Sequence, residues 1–240
     1  MLDLSYTKVR TYLNCPWLYK LFFIDNKKTP PSPHSSLGHS VHKAFAKFHE
    51  CGGKSIEEIE DALNDCWESI GYKNAAQELD FFDKAKQILT TYIDNIACTW
   101  DSEILGIEKS FKFEIPQLNI KIQGIIDRVD RLSDGSIAII DYKTHAQIWN
   151  ETRLKEDMQI TIYAQAAINA MGMKNPKLFF FFVSHGIVRE VIRSEADWEQ
   201  LKNTLSDIAV KLQGGQFPCR TEYCQWCDMK NSCGYSIVKK

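Results

Sequence analysis

Three charged side chains interrupt an otherwise apolar stretch of this chain. In Gly124–Thr144, GIIDRVDRLSDGSIAIIDYKT, Ile125, Ile126 and Val129 precede an Asp134-Gly135 turn, and Ile137, Ile139 and Ile140 follow it. The pattern reads as two short strands, with Asp127, Asp141 and Lys143 set into them. Residues two apart on a strand share a face, so Asp141 and Lys143 project together. Burying a charge is costly unless it is paired or metal-bound. Two carboxylates and an amine on an internal sheet therefore read as a site, whereas on an exposed strand they would be an ordinary Asp–Lys ion pair. Hard divalent cations such as Mg²⁺ and Mn²⁺ take oxygen ligands, commonly one or two carboxylates with phosphate oxygens and water. A lysine beside them orients or deprotonates an attacking water, or neutralises charge gathering on a phosphate.

The turn decides whether the three can meet. A two-residue hairpin at Asp134-Gly135 would set Asp127 opposite Tyr142, on the wrong face. A three-residue loop with Gly135 in a left-handed bulge sets it opposite Asp141 or Lys143. Convergence predicts the bulge.

The elements around this hairpin follow from periodicity. Ser5 reads as the cap of a helix carrying Val9, Tyr12 and Leu13, and Pro16 opens a second helix. Asn26–Ser36 is a proline-rich loop. Helices follow over about 37–50, after the Ser55/Glu58 capping box, and over 79–100, with Phe82, Ile88, Leu89, Tyr92 and Ile96 inward. The period then changes to two: a strand ending at Pro116, the hairpin, a helix over 154–171, strands 178–183 and 187–192, and a final amphipathic helix stopped by Gly214-Gly215.

At 240 residues, 44% hydrophobic and with a formal net charge of −2, the chain suits a globular fold without a global field for nucleic acid. Asp3 and Lys8 do not read as part of a secretory leader, and the longest apolar run, Leu178–Val183, is too short to span a bilayer. A soluble, cytoplasmic protein with no membrane partner is expected. Disulfides are rare in that compartment, yet there are eight cysteines. Cys51, Cys66 and Cys98 fall in helical patterns and read as buried free thiols. Cys224-x₂-Cys227-x₅-Cys233 instead supplies three thiolates in one short segment, and a fourth must come from Cys15 or Cys219. Thiolate-rich sets select zinc or iron–sulfur clusters.

Gly124-x-x-Asp127-Arg128-x-Asp130 followed by Asp141-Tyr142-Lys143-Thr144 resembles the core motif of the RecB-like branch of the PD-(D/E)XK nuclease superfamily. Gly38-x-x-x-His42 resembles its upstream helix motif, and Gln159-x-x-x-Tyr163 its downstream one. The resemblance spans residues 38–163. It implies that Asp127, Asp141 and His42 bind Mg²⁺ or Mn²⁺, that Lys143 is catalytic with the two aspartates, and that Gln159 and Tyr163 shape the site and touch DNA. Glu108 matches a strand glutamate that related nucleases place before the motif aspartate, and reads equally well as an exposed strand residue. Arg128 and Asp130 read as structural or substrate-contacting. Asn14-Cys15-Pro16 with the terminal cysteines resembles the [4Fe–4S] clasp of AddB-type, eukaryotic exonuclease-five-type and Cas-four-type members. That implies Cys15, Cys224, Cys227 and Cys233 as ligands, with Cys219 a spare; on thiolate chemistry alone Zn²⁺ is the alternative metal.

The fold so implied is α/β, a restriction-endonuclease-like mixed sheet flanked by helices in one RecB-like nuclease domain, 1–240. Residues 1–101 form a mainly helical lobe, 102–193 the nuclease core, and 194–240 a helix and the cysteine clasp. The activity implied is metal-dependent hydrolysis of DNA phosphodiesters, exonucleolytic on single strands, in repair, recombination or CRISPR adaptation. Arg153 and Lys155 would line the DNA path. The alternative is a non-catalytic iron–sulfur DNA-binding subunit of a helicase or integrase complex.

Overall fold

A computed structural model describes residues 1–238. The elements run β1 (Leu2–Leu4), α1 (Tyr6–Asn14), α2 (Pro16–Tyr19), α3 (Pro33–Glu50), α4 (Ile56–Cys66), α5 (Ala75–Tyr92), β2 (Ser102–Ile115), β3 (Ile120–Leu132), β4 (Ile137–Lys143), α6 (Glu151–Glu156), α7 (Met158–Asn169), β5 (Lys177–Phe182), β6 (Ile187–Val191) and α8 (Glu195–Gln213). They divide into two compact units, and the chain passes between these along β2 and β3. One unit holds residues 31–111 and 125–193, the other 1–30, 112–124 and 194–240.

The first unit is a mixed sheet with helices. β3 pairs antiparallel with β4, β4 parallel with β5, and β5 antiparallel with β6. The β3–β4 register runs Arg128↔Ile140 to Arg131↔Ile137. Leu132 and Ser136 close a three-residue loop, in which Gly135 takes φ +81°. This is the bulged loop rather than the two-residue turn. Continued by one residue, its register sets Asp127 opposite Asp141.

Alternation then sorts the sheet. Ala138, Ile140 and Tyr142, with Phe179 and Phe181, join one core with Val41, Phe45 and Phe48 of α3, Ile59 and Leu63 of α4, and Leu89 and Tyr92 of α5. Ile139, Asp141 and Lys143 fall on the other face, beside Leu178, Phe180 and Phe182 of β5. α4 begins with the expected capping box: Ser55 accepts from the Glu58 N–H while Glu58 accepts from the Ser55 N–H. α3 starts four residues earlier than its apolar stripe, because Ser32 caps it and Pro33 occupies its first turn.

Several expectations are corrected. The helix expected over 154–171 is two helices, because the Asp157 side chain accepts from the Ile160 N–H and caps a fresh start. α5 starts at Ala75 under an Asn74 cap and gives way to a wider π turn at Ile93–Ala97; Phe81 joins its buried side, and Phe82 packs half-buried against the same core. Cys51 and Cys98 are exposed and Cys66 half-buried, so these thiols do not fill the core. β1 was not expected at all; three residues are too few to show a period.

In the second unit β1 lies parallel to the start of β3, Leu2↔Ile120 to Leu4↔Ile122. Ser5 caps α1 by accepting from the Lys8 N–H. The Tyr12 hydroxyl donates to the Gln216 carbonyl at 2.8 Å, and the Trp17 N–H to the Pro218 carbonyl at 3.2 Å. These bonds hold the α1–α2 corner against the chain that leaves α8. Among the described residues no helix is long and apolar enough to cross a membrane.

Candidate active site and cysteine cavity

Lys143, at the end of β4, has its Nζ 2.6 Å from Asp141 Oδ2 and donates to Gln159 Oε1 at 2.9 Å. Gln159 Nε2 donates to the Tyr163 hydroxyl at 2.9 Å, and that hydroxyl donates to the Ile125 carbonyl at 2.6 Å. The four-residue spacing of Gln159 and Tyr163 puts both on one face of α7. Its purpose here is visible: one end of the chain of bonds holds the lysine, the other grips β3 two residues before Asp127. The break before α7 is also held. Arg193 donates to the Leu154 and Asp157 carbonyls and to Thr161 Oγ1, at 2.7, 3.0 and 2.7 Å.

His42 comes from α3, with Nδ1 3.5 Å from Asp127 Oδ1. Asp127 Oδ2 accepts the Tyr142 N–H at 2.8 Å. α3 passes close enough to the end of β4 that a Cβ on Gly38 would lie 3.6 Å from Thr144 Oγ1. Glu108 lines a small cavity with His42, His49, Asp127, Arg128 and Tyr142, and its backbone is left-handed at φ +43°. That conformation is uncommon for a residue other than glycine and marks a kink in β2 beside the site.

Electrostatics follow burial. Desolvation pushes the Asp141 carboxyl up to about 7, against the opposing pull of Lys143 and with the help of Asp127. Burial also raises Asp127, but His42 and the Tyr142 N–H outweigh it and hold Asp127 below the usual range. Burial lowers His42, yet Asp127 and Asp141 draw it net upward. Asp141 Oδ2 is buried and, apart from the ion contact with Lys143, makes no hydrogen bond. That oxygen is compensated by the Lys143 ammonium, and an aspartate pair with an imidazole is a donor set of the right chemistry for a hard cation. As they stand, no three His, Cys, Asp or Glu side chains among the described residues are arranged to hold a metal ion.

Arg128 and Asp130 alternate away from Asp127 and are buried beneath the site. Arg128 Nε and Nη2 pair with both Asp130 oxygens at 2.7 and 2.6 Å, while Nη1 reaches the Tyr92 hydroxyl at 3.0 Å and His49 Nε2 at 3.1 Å. Trp100 Nε1 and Ser102 Oγ also donate to Asp130, at 2.9 and 2.6 Å. His49 was missed in the sequence; it follows His42 by two helical turns, which was the available signal. Since His49 Nε2 faces the Arg128 guanidinium, burial and that charge push its pKa down to about 3. A group lowered in the fold costs stability once the unfolded chain takes up a proton that the fold refuses. The protein should therefore lose stability progressively from about pH 6.5 toward pH 3. His49→Gln should flatten that slope, by chemical denaturation at stepped pH.

In the second unit Cys15, Cys219, Cys224, Cys227 and Cys233 line one small cavity with Trp17, Leu18, Leu21 and Met229. Cys15 Sγ accepts the Arg220 N–H at 3.4 Å, and tight turns fold Cys227 back on Cys224 and Cys233 on Met229. Burial, the neighbouring Cys15 and a hydrogen bond to it push the Cys219 thiol up to about 12; burial raises Cys227 as well. The apolar lining and thiol donor set fit a thiophilic metal or cluster, whose binding must displace those protons. The fifth thiol, Cys219, lines the same cavity as the four that the resemblance selects.

The family profile of the PD-(D/E)XK nuclease superfamily matches residues 3–234. The chain belongs to this superfamily. It is also 30% identical over 223 residues to a subunit of the ATP-dependent helicase/deoxyribonuclease of Streptococcus agalactiae serotype III, covering 88% of this chain and 20% of that protein. The same-named protein of Streptococcus mutans is 23% identical over 192 residues, covering 75% of this chain and 18% of that protein. The chain thus spans about a fifth of the length of these curated relatives. A solved structure, "Crystal structure of SSO0001", aligns at TM-score 0.38 and 15% identity over 84% of this chain and 86% of that one. For a superfamily member, a divalent cation such as Mg²⁺ or Mn²⁺ is the usual partner of such carboxylates.

Proposed function

We propose that this chain is a metal-dependent deoxyribonuclease that hydrolyses phosphodiesters of single-stranded DNA exonucleolytically. The observation that carries the reading is the meeting of Asp127, Asp141 and Lys143 on one face, with His42 reaching Asp127 from α3. Asp127, Asp141 and His42 would hold the cation. When bound, it would polarise the phosphate and ease deprotonation of an attacking water. Lys143, fixed by Asp141 and Gln159, would place its ammonium against the water or the developing phosphorane charge. Tyr163 keeps α7 and β3 in step, so Tyr163→Phe should slow cleavage about tenfold while leaving DNA binding near wild type. Glu108 would stand at the edge of the DNA path, and Arg153 and Lys155 would contact backbone phosphates.

The cysteine cavity supports a [4Fe–4S] cluster, with Zn²⁺ the other candidate. Cys15, Cys224, Cys227 and Cys233 would be its ligands, and it would stabilise the second unit rather than act on phosphate. Metal content of anaerobically purified Cys224→Ala should fall to background. The names of the relatives, helicase/deoxyribonuclease subunits, favour a helicase partner over an integrase.

The test is cleavage of single-stranded DNA labelled separately at each end, with Mn²⁺ and with chelator. Stepwise release from one label supports an exonuclease and gives its polarity. Internal cuts would make it an endonuclease. No cleavage by protein with its metal intact would leave the non-catalytic DNA-binding role as the better reading.

A further inference from the structure

We infer that Trp149 is a positioning residue for Lys143, its indole face fixing the ammonium that the proposed hydrolysis uses; the inference rests on that reading. Trp149 lies in the segment between β4 and α6 and is 7% exposed. Lys143 Nζ stands 4.9 Å from the centroid of its ring and 5.0 Å from that of Phe180. The ring is itself fixed, meeting Phe180 and Phe182 edgewise at 5.3 and 5.9 Å. The Arg153 guanidinium lies 4.3 Å from the same ring.

Two features make the ring more than filling. Its Nε1 is buried without a hydrogen-bond partner. Such an orphaned donor costs free energy that a phenylalanine at the same place would avoid. What tryptophan offers in return is the strongest aromatic face for a cation, at its most effective where water is excluded. Lys143 meets that condition, with a side chain only 8% exposed. Asp141 holds the ammonium by an ion pair at 2.6 Å and Gln159 by a hydrogen bond at 2.9 Å. The aromatic face adds a further hold that fixes the direction of the amine.

The experiment measures kcat and KM on single-stranded DNA at saturating Mn²⁺ for Trp149→Leu, for Trp149→Phe, and for Phe variants at 149 carrying one to three ring fluorines. Fluorine withdraws electron density from the ring face with little change of shape. Trp149→Leu should lower kcat about 30-fold with KM within about twofold. Phe should restore part of the loss, and kcat should fall stepwise with each fluorine. A fluorination series with constant kcat, or a loss carried by KM alone, would overturn the inference. The fluorinated series decides the matter even if the Leu variant does not fold. Lys143→Ala runs alongside. If it is inert while the series is flat, only the positioning role fails; if it cuts like wild type, Lys143 leaves the mechanism and the inference falls with it; if wild type itself does not cut, the nuclease reading falls.

Discussion

Lys143→Ala should abolish metal-dependent DNA cleavage, by at least about a thousandfold in kcat, in a protein that still folds. The size follows from the surroundings. The ammonium is buried, ion-paired to Asp141 and hydrogen-bonded to Gln159, so solvent does not stand ready to replace it. Folding should survive even though the alanine leaves Asp141 without its ammonium, because burial already holds that carboxyl up at about 7 and it can take a proton in place of the lost charge partner. Lys143→Arg should rescue little, since the planar guanidinium does not fit a box closed by two rings, a carboxylate and an amide. Circular dichroism and bound-metal content would confirm that the alanine variant is intact. Full activity in that variant would remove the lysine from the mechanism.

The second large effect concerns stability. Asp130→Ala should destabilise the protein by about 3–5 kcal/mol, because it strands the Arg128 guanidinium in the core with no carboxylate. The two form a buried bidentate pair, with Asp130 fully enclosed and Arg128 nearly so. Replacing both, as Arg128→Met with Asp130→Leu, should recover most of the loss, since the pair is costly to bury and only its half is ruinous. Denaturant midpoints of the two variants and wild type measure this directly. A midpoint unchanged in Asp130→Ala would mean that water reaches Arg128.

Much of this site was already legible in the sequence. Asp127, Asp141 and Lys143 were legible because charge in an apolar strand is rare and alternation fixes which side chains share a face. The loop was legible as a fork with two outcomes, and Gly135 takes the one that brings Asp127 opposite Asp141. Gln159 and Tyr163 could be placed on one helical face, but the bonds that join them to Lys143 and to Ile125 could not, as these cross between elements. Trp149 lies in an irregular segment with no period to read, and His49 was hidden by the ordinariness of a helical histidine. Arg128 and Asp130 looked structural from their place two residues apart; their partners Tyr92, Trp100 and Ser102 come from distant sequence. The break at Asp157 was missed because the apolar pattern runs on through it, and capping acts on the backbone rather than on hydrophobicity.

The relation of the cysteine cavity to a metal rests on chemistry of a different kind. Spacing alone left Cys15 and Cys219 open, and both line the cavity. Removing each in turn and measuring bound iron and zinc separates ligand from bystander: Cys15→Ala should lose the metal, and Cys219→Ala should keep it.

The most direct test of the central claim is Mn²⁺ binding, followed by paramagnetic resonance, alongside DNA cleavage in wild type and in the Asp127→Asn/Asp141→Asn protein. If the two aspartates hold the reacting cation, wild type should bind Mn²⁺ and cut in proportion to its occupancy, while the double variant should neither bind at that site nor cut. Unchanged cleavage by the double variant, or Mn²⁺ bound as tightly without both carboxylates, would contradict the account.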